Sequence, residues 1–294
     1  MLNREPDSEI VAKSTCDISI VRFYATFLGL ALVLVTLVDM RGQSQRTYLG
    51  MDRNDYSGDA SMMALRKTFA FTGYWLNNPP GANHNTWQGK RRSLETMGYG
   101  FLLLFNGREY AQLKASGSAA RVGTNDAAAA VRSAQQEGFP PGAIIFLDQE
   151  QGGRMLTEQR SYIHAWVDGV TRAGYSAGIY CSGIPFRESS TVSVVTANDI
   201  RDHTGGRLIH FFVSNDQCPP AAGCVFPQTP ASPSDSGVKF ADAWQFAQSP
   251  RRPAMTAACR QSYAPDGNCY PPGSGAHVDV DTATSADPSH ARSR

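Results

Sequence analysis

Charge is what this chain has least of. Charged residues make up 18% of its 294 positions, and 27 Lys and Arg against 26 Asp and Glu leave a formal net charge of +1. A basic face, the electrostatic footprint of a nucleic-acid binder, is not expected from that balance. Phosphate signatures are missing as well. No Gly-x-Gly-x-x-Gly follows the first apolar run and no phosphate loop occurs, which weakens the case for a doubly wound nucleotide-binding sheet. No Gly-x-Ser-x-Gly elbow presents a serine nucleophile. Cys181 follows Tyr180, but no His is placed by motif to activate it. The six cysteines lack the Cys-x-x-Cys spacing and the His pair of a zinc site. No cofactor and no metal is called for, and no internal repeat is visible.

Apolar residues make up 41% of the chain, a globular proportion. The longest apolar run is Phe23 to Val38, with Arg22 before it and Asp39 and Arg41 after it. It is as long as a generous signal-peptide core and just short of a membrane span of ~20 residues. No Ala-x-Ala-like cleavage site follows, and basic residues on its two sides balance, so orientation is not fixed. A buried core helix is the alternative. Its place ahead of a complete-looking domain favours an export signal or membrane anchor over residues 1–45. Membrane contact is expected through this segment only.

The cysteines fit export. Cys218-Pro-Pro-Ala-Ala-Gly-Cys224 is a tight loop, and Cys259 and Cys269 bracket another. Pairing Cys218 with Cys224 and Cys259 with Cys269 would staple two Pro-rich loops in an oxidising compartment, though four cysteines permit three connectivities.

From Thr47 onward, short apolar runs alternate with amphipathic stretches. The runs are Tyr48 to Asp52, Thr68 to Trp75, Tyr99 to Phe105, Ala143 to Leu147, Ser176 to Tyr180, Leu208 to Val213, Ala241 to Phe246 and His277 to Asp281. Continuous apolar runs of this length suit strands buried on both faces, as in parallel sheets. Helices are expected over Thr86 to Met97, Asn125 to Glu137 and Thr157 to Ala173, the last with Thr157 as its cap. Strands alternating with helices imply βαβ units. Eight of them imply an α/β fold, a TIM-like (β/α)8 barrel over residues 46–284, for which ~250 residues is typical. Residues 285–294 are expected to be a disordered tail.

The chemistry concentrates at strand ends. Ile144-Ile145-Phe146-Leu147 runs into Asp148-Gln149-Glu150, and strand alternation puts Asp148 and Glu150 on one face. The alternative is a solvated loop start. Asp52 closes the first run, and Asp279 and Asp281 share a face of the last. First and last strands are neighbours in a closed barrel, so these acids are expected to gather at the mouth formed by strand C-termini. Crowded carboxylates raise one another's pKa, so one can hold a proton while another stays ionised. Glycoside cleavage needs that division between a proton donor and a charge-stabilising carboxylate. Trp75, Tyr180, Trp244, Gln245 and Asp281 are the candidate substrate contacts, with core packing the rival role for each aromatic. The same carboxylates could also hold a divalent cation.

At these residues the chain resembles a known group. Asp52, Asp148-x-Glu150, Gly174-Tyr-Ser-Ala-Gly-Ile-Tyr180, Trp244-Gln245-Phe246 and Val278-Asp279-Val280-Asp281 fall in the order seen in glycoside hydrolase family 25 lysozymes. The layout from Thr47 to Thr284 is similar still more to the related glycoside-hydrolase-like domains typified by a secreted mycobacterial cell-wall protein. Asp52 is followed by Arg53-Asn54-Asp55-Tyr56 where the lysozyme family has Val-Ser, and Asp281 stands where Asn is common. The resemblance implies a TIM-like barrel acting on N-acetylated polysaccharide, with peptidoglycan first. It implies Glu150 as the general acid. Asp148 would be the carboxylate assisting at the anomeric side through the substrate's acetamido group, with Asp52 and Asp279 in support. Two functions are therefore expected in competition: an exported cell-wall glycosidase, and a non-catalytic glycan-binding or envelope module on the same barrel. Oligomeric state is left open.

Overall fold

The computed structural model describes residues 46–216, 230–248 and 278–293. The apolar segment Phe23–Val38 and Cys16, Cys218, Cys224, Cys259 and Cys269 lie outside the described residues, so the anchor and both expected disulfides fall there too. Among the described residues no helix is long and apolar enough to cross a membrane.

Each of the eight apolar runs contributes one strand to a closed eight-stranded barrel. The strands are β1 (Tyr48–Asp52), β2 (Phe71–Trp75), β3 (Gly100–Asn106), β4 (Ile144–Gln149), β5 (Ser176–Ser182), β8 (His210–Ser214), β9 (Ala243–Ala247) and β10 (Asp279–Ala283). Two short strands, β6 (Pro185–Arg187) and β7 (Ser193–Val195), form a separate antiparallel hairpin after β5. The barrel order is β1-β10-β9-β8-β5-β4-β3-β2. One strand departs from the all-parallel expectation. β10 pairs antiparallel with both β1 and β9, and the remaining barrel pairs are parallel. Asp279 therefore stands at the mouth because it begins a reversed strand, opposite Asp52 in the register.

Helices cover the outside: α1 (Asp59–Leu65), α2 (Arg91–Thr96), α3 (Tyr110–Ala115), α4 (Ala119–Glu137), α5 (Thr157–Arg172) and α6 (Thr196–Asp202). α4 starts earlier than its pattern suggested, and α2 is only the second half of the expected Thr86–Met97. Trp87 explains the shortening. It is fully buried and its indole Nε1 donates to Asn54 O at 3.0 Å, which holds residues 86–89 as a turn. Thr157 is the first helical residue of α5 and Leu156 its cap, with the Gln159 side chain accepting from the Leu156 N–H at 2.9 Å.

Strand alternation divides each strand between lumen and helix layer. Gly50, Phe71, Leu102, Phe146, Gly178 and Phe212 share the lumen-facing parity, and the rings of Phe71 and Phe146 fill the space where side chains on Gly50 and Gly178 would stand. The lower lumen is thus a packed core, as expected for a barrel of this size. The same parity carries Asp52, Trp75, Asp148, Tyr180, Gln245 and Asp279 into the mouth.

The C-terminal residues are not the disordered tail that their polar, Pro-containing composition implied. Ser289 bonds to two strand starts: its N–H donates to Phe101 O at 2.9 Å, its carbonyl accepts from Ile144 N at 2.8 Å, and its Oγ accepts from Leu103 N at 2.9 Å. Asp287 Oδ1 accepts from Phe101 N at 2.8 Å, and Ser289 and Ala291 are fully buried. Strands β3 and β4 begin pairing at Leu103 and Ile145, so this segment satisfies backbone groups at the barrel floor that would otherwise be orphaned.

Candidate active site

The mouth gathers acids from three strands and the loop just past β4. A cavity of about 80 Å³ is lined by Asp52, Asp148, Glu150 and Asp279 with Trp75, Tyr180 and Gln245. It adjoins a cleft of about 580 Å³ that Asp148, Gln149, Glu150 and Gln151 share with Asn106–Glu109 and Asn77–Asn78. The expected convergence of Asp52, Asp148, Glu150 and Asp279 is what the geometry places there.

Gln245 ties the acids together. Its Nε2 donates to Asp52 Oδ2 at 2.7 Å and to Asp279 Oδ2 at 3.3 Å. Its Oε1 accepts from Tyr180 OH at 2.7 Å and from Gln248 Nε2 at 3.0 Å. All four partners agree on one amide orientation, with the carbonyl toward the phenol and the NH₂ toward the carboxylates. With Gln245 only 3% exposed, its amide is committed to holding Asp52 and Asp279. That differs from the expected role as a substrate contact. Gln248, which also donates to Tyr180 OH at 3.3 Å, carried no motif in the sequence.

Burial grades the carboxyls. Burial pushes Asp52 up to about 6, against the lowering effect of its Gln245 bond. Asp148, 5% exposed, is raised well above the carboxylate range by burial, then by the charges of Glu150 and Asp52. Its Oδ1 has no hydrogen-bond partner. Glu150 lies past the strand end and is exposed; partial burial of its carboxyl and then the charge of Glu109 raise it. Glu109 is a site residue that the sequence reading missed; its signal was its position just past β3. Tyr180 keeps its phenolic proton, because burial and then the charges of Asp148 and Asp52 hold it well above its usual range.

Asp281 is not a substrate contact. It is fully buried one layer below the mouth, paired across to Gly50 and Gln245. No N–H or O–H group reaches either of its oxygens, yet it hydrogen-bonds Asp52. Two carboxyls can share a hydrogen bond only if one keeps its proton. The deeper, fully buried Asp281 is that one, raised well above the usual range by burial and then by Asp52 and Asp279. It donates to Asp52, whose own value that bond lowers.

The aromatic candidates separate by parity. Trp75 and Tyr180 line the mouth. Trp244 points the other way, into the layer outside the barrel, where its Nε1 donates to Asn215 O at 2.9 Å and its ring lies 5.6 Å from Phe246. The sequence showed an alternating Trp-Gln-Phe but not which member faced the lumen. Among the described residues no group of three or more His, Cys, Asp or Glu side chains has a metal-holding arrangement.

A family model for the Rv2525c-like, glycoside hydrolase-like domain matches residues 71–210, from the start of β2 to the first residue of β8. The match contains Asp148, Glu150 and Tyr180 and leaves Asp52, Gln245 and Asp279 outside. Solved structures are similar at low identity. An uncharacterized B. stearothermophilus protein is 16% identical, with 80% of this chain and 95% of that chain covered and a TM-score of 0.49. The Tat-secreted protein Rv2525c of Mycobacterium tuberculosis, in complex with L-tartrate, is 13% identical, with 81% and 95% covered and a TM-score of 0.48. The spore cortex lytic enzyme SleM of Clostridium perfringens is 15% identical, with 84% and 70% covered and a TM-score of 0.49. No curated protein matches the chain. Over residues 71–210, then, the chain is similar to the glycoside hydrolase-like domain of the Rv2525c-like kind.

Proposed function

We propose that the barrel hydrolyses glycosidic bonds in an N-acetylated cell-wall polysaccharide, with peptidoglycan as the first substrate to test. The observation that carries this reading is the gradation of carboxyls in and just below one mouth, from fully buried Asp281 through Asp148 and Asp52 to exposed Glu150. Environments that push neighbouring carboxyls apart in acidity divide acid from base. Glu150 is the proton donor, because it alone of the raised acids is exposed to the open cleft, where a leaving oxygen can reach it. Asp148, buried and holding its proton before substrate binds, faces the substrate's acetamido group. As substrate binds, Asp148 gives that proton to solvent, and its anion, accepting from the acetamido N–H, supplies negative charge near the oxocarbenium-like centre. The acetamido oxygen bonds to the anomeric carbon as Glu150 protonates the departing oxygen, and a water that returns its proton to Glu150 opens the intermediate. Asp52, lowered toward its charged form by Gln245 and Asp281, adds to that field.

In the same proposal, residues 1–45 carry the domain out of the cytoplasm as a cleaved signal or a retained anchor. Cys218, Cys224, Cys259 and Cys269 pair there in an oxidising compartment. The test is turbidity clearing and reducing-end release on a panel of peptidoglycans and chitin-type oligomers, with the full chain. Release from at least one substrate, lost in Glu150→Gln, is the expected result. Glycan binding without turnover on every substrate overturns hydrolysis in favour of a binding module.

A further inference from the structure

Large exposed hydrophobic side chains are few among the described residues: Met63, Leu156, Ile184, Phe186, Val192 and Leu208. Single ones need no explanation, but a concentration at one place does. Four of these six fall on one rim. Ile184, Phe186 and Val192 lie on or beside the β6–β7 hairpin, and Leu156 lies in the loop after β4 that carries Glu150.

The hairpin and that loop are bonded into one piece. Thr196 Oγ1 accepts from Gly153 N at 2.9 Å and donates to Gly153 O at 3.0 Å. Glu188 Oε1 accepts from Arg154 N at 3.1 Å, and Asp199 Oδ2 accepts from Met155 N at 2.9 Å. The Phe186 ring lies on Gly152 and Gly153. A Cβ at Gly153 would come within 3.0 Å of Phe186 Cδ1, and the φ of +93° there is one that L side chains rarely adopt. That φ is what calls for glycine, and an added Cβ would also press on the ring. Phe186 nevertheless stays 51% exposed, so one face of the ring rests on backbone while much of the side chain is open to water. Only Gln151 separates Glu150 from this seat, and Gln151 itself lines the 580 Å³ cleft.

Barrel order sets the direction. The large cleft lies on the β2–β3 side of Glu150, and the hairpin follows β5 on its other side. The geometry points to Phe186 as a stacking platform for a pyranose ring of the glycan, on the flank of Glu150 away from the large cleft. A flat, supported aromatic ring matches the apolar face of a sugar, and here it rests on Gly152 and Gly153, in the loop that carries Glu150. A membrane surface or a partner protein fits less well, because the patch is contiguous with the loop of the proposed proton donor. The inference rests on the reading of the mouth as a glycan site.

The test uses the full chain carrying Glu150→Gln to stop turnover. Binding of soluble peptidoglycan strands and long chitin-type oligomers is measured for that protein and with Phe186→Ala, Phe186→Leu or Phe186→Tyr added. Phe186 is exposed, so each variant is expected to fold. Stacking of this kind predicts a loss of roughly three- to tenfold for Ala and for Leu, with Tyr restoring affinity. Equal affinity in all four proteins overturns the platform. So does retention by Leu with loss by Ala, since Leu keeps apolar area without a flat ring. So does unchanged glycan binding with Phe186-dependent sedimentation on phosphatidylglycerol vesicles. Reducing-end release by the wild type separates the two readings. Phe186-dependent binding without any turnover sinks hydrolysis and keeps the platform; turnover with Phe186-independent binding does the reverse. A wild type that neither binds nor cleaves any of these glycans overturns both.

Discussion

Replacing Glu150 with Gln preserves shape and removes only the transferable proton. Turnover should fall by the ~10²–10⁴-fold that a positioned acid contributes, while glycan binding and melting temperature hold. Steady-state rates of Glu150→Gln matching wild type would remove Glu150 from the role. Because partial burial and Glu109 raise Glu150, the alkaline limb of the rate profile should lie above the ordinary Glu range, giving a mildly acidic optimum. Glu109→Gln should move that limb down in pH, a change that a merely structural Glu109 would not cause. Asp281 supplies a different residue-scale test. As a proton-holding donor to Asp52 it should tolerate Asn, which donates from the same place. Asp281→Leu removes the donor, and Asp52 should then titrate above about 6. Carboxyl-carbon NMR titration reads both. A large fall in the Asp52 value on Asp281→Asn would mean that Asp281 had been charged, and the shared-proton account would go.

At the scale of elements, what the sequence displayed was what burial imposes on composition. All eight barrel strands showed as apolar runs because both of their faces are covered. The β6–β7 hairpin, with three-residue strands and an exposed surface, has no such signature. Nor does a strand's alternation have a direction, so the reversal of β10 could not be read from Val278-Asp279-Val280-Asp281. Alternation correctly put Asp279 and Asp281 on one face; depth, which no local pattern records, made one a mouth residue and the other a buried acid. The segment 285–293 was missed for a related reason. Its hold on the barrel is made by backbone groups and the side chains of Asp287 and Ser289, while its composition reads as a loop. Ser289→Ala should cost about 1–2 kcal/mol, since it strips the acceptor from the buried Leu103 N–H. Gly100→Ala should cost more, because its Cβ would fall inside the contact radius of Ala286 O and the segment would have to leave. Thermal melts and limited proteolysis near residue 285 check the pair. A wild-type melting temperature for Gly100→Ala would mean that the segment is not structural.

For the whole molecule, the acidic mouth sets how stability responds to pH. Asp52, Asp148, Glu150 and Asp281 are all raised in the folded state. Below the unfolded carboxyl values near 4, both states hold these protons and the mouth costs nothing. As pH rises, the unfolded chain ionises first and the folded protein binds the excess protons, so folding is progressively disfavoured. The displacement of Asp52 from 3.8 to about 6 alone corresponds to about 3 kcal/mol at neutral pH. Asp168 is shifted the other way, lowered chiefly by its hydrogen bonds with Arg207. It acts below its ordinary value near 4, outside this window. The protein should therefore melt at a higher temperature at pH 5 than at pH 8. Asp148→Asn should remove part of the slope, melting above wild type at pH 8 and converging with it toward pH 5. The glycosidase activity proposed above should be lost in Asp148→Asn at every pH. Stability gained where activity is lost is the expected mark of an active site whose strained charges serve chemistry rather than folding. A wild-type melting temperature that climbs from pH 5 to pH 8, with Asp148→Asn the less stable protein at pH 8, would show that these carboxyls are stabilised as anions. Their gradation in acidity, and the division of labour proposed from it, would then fail together.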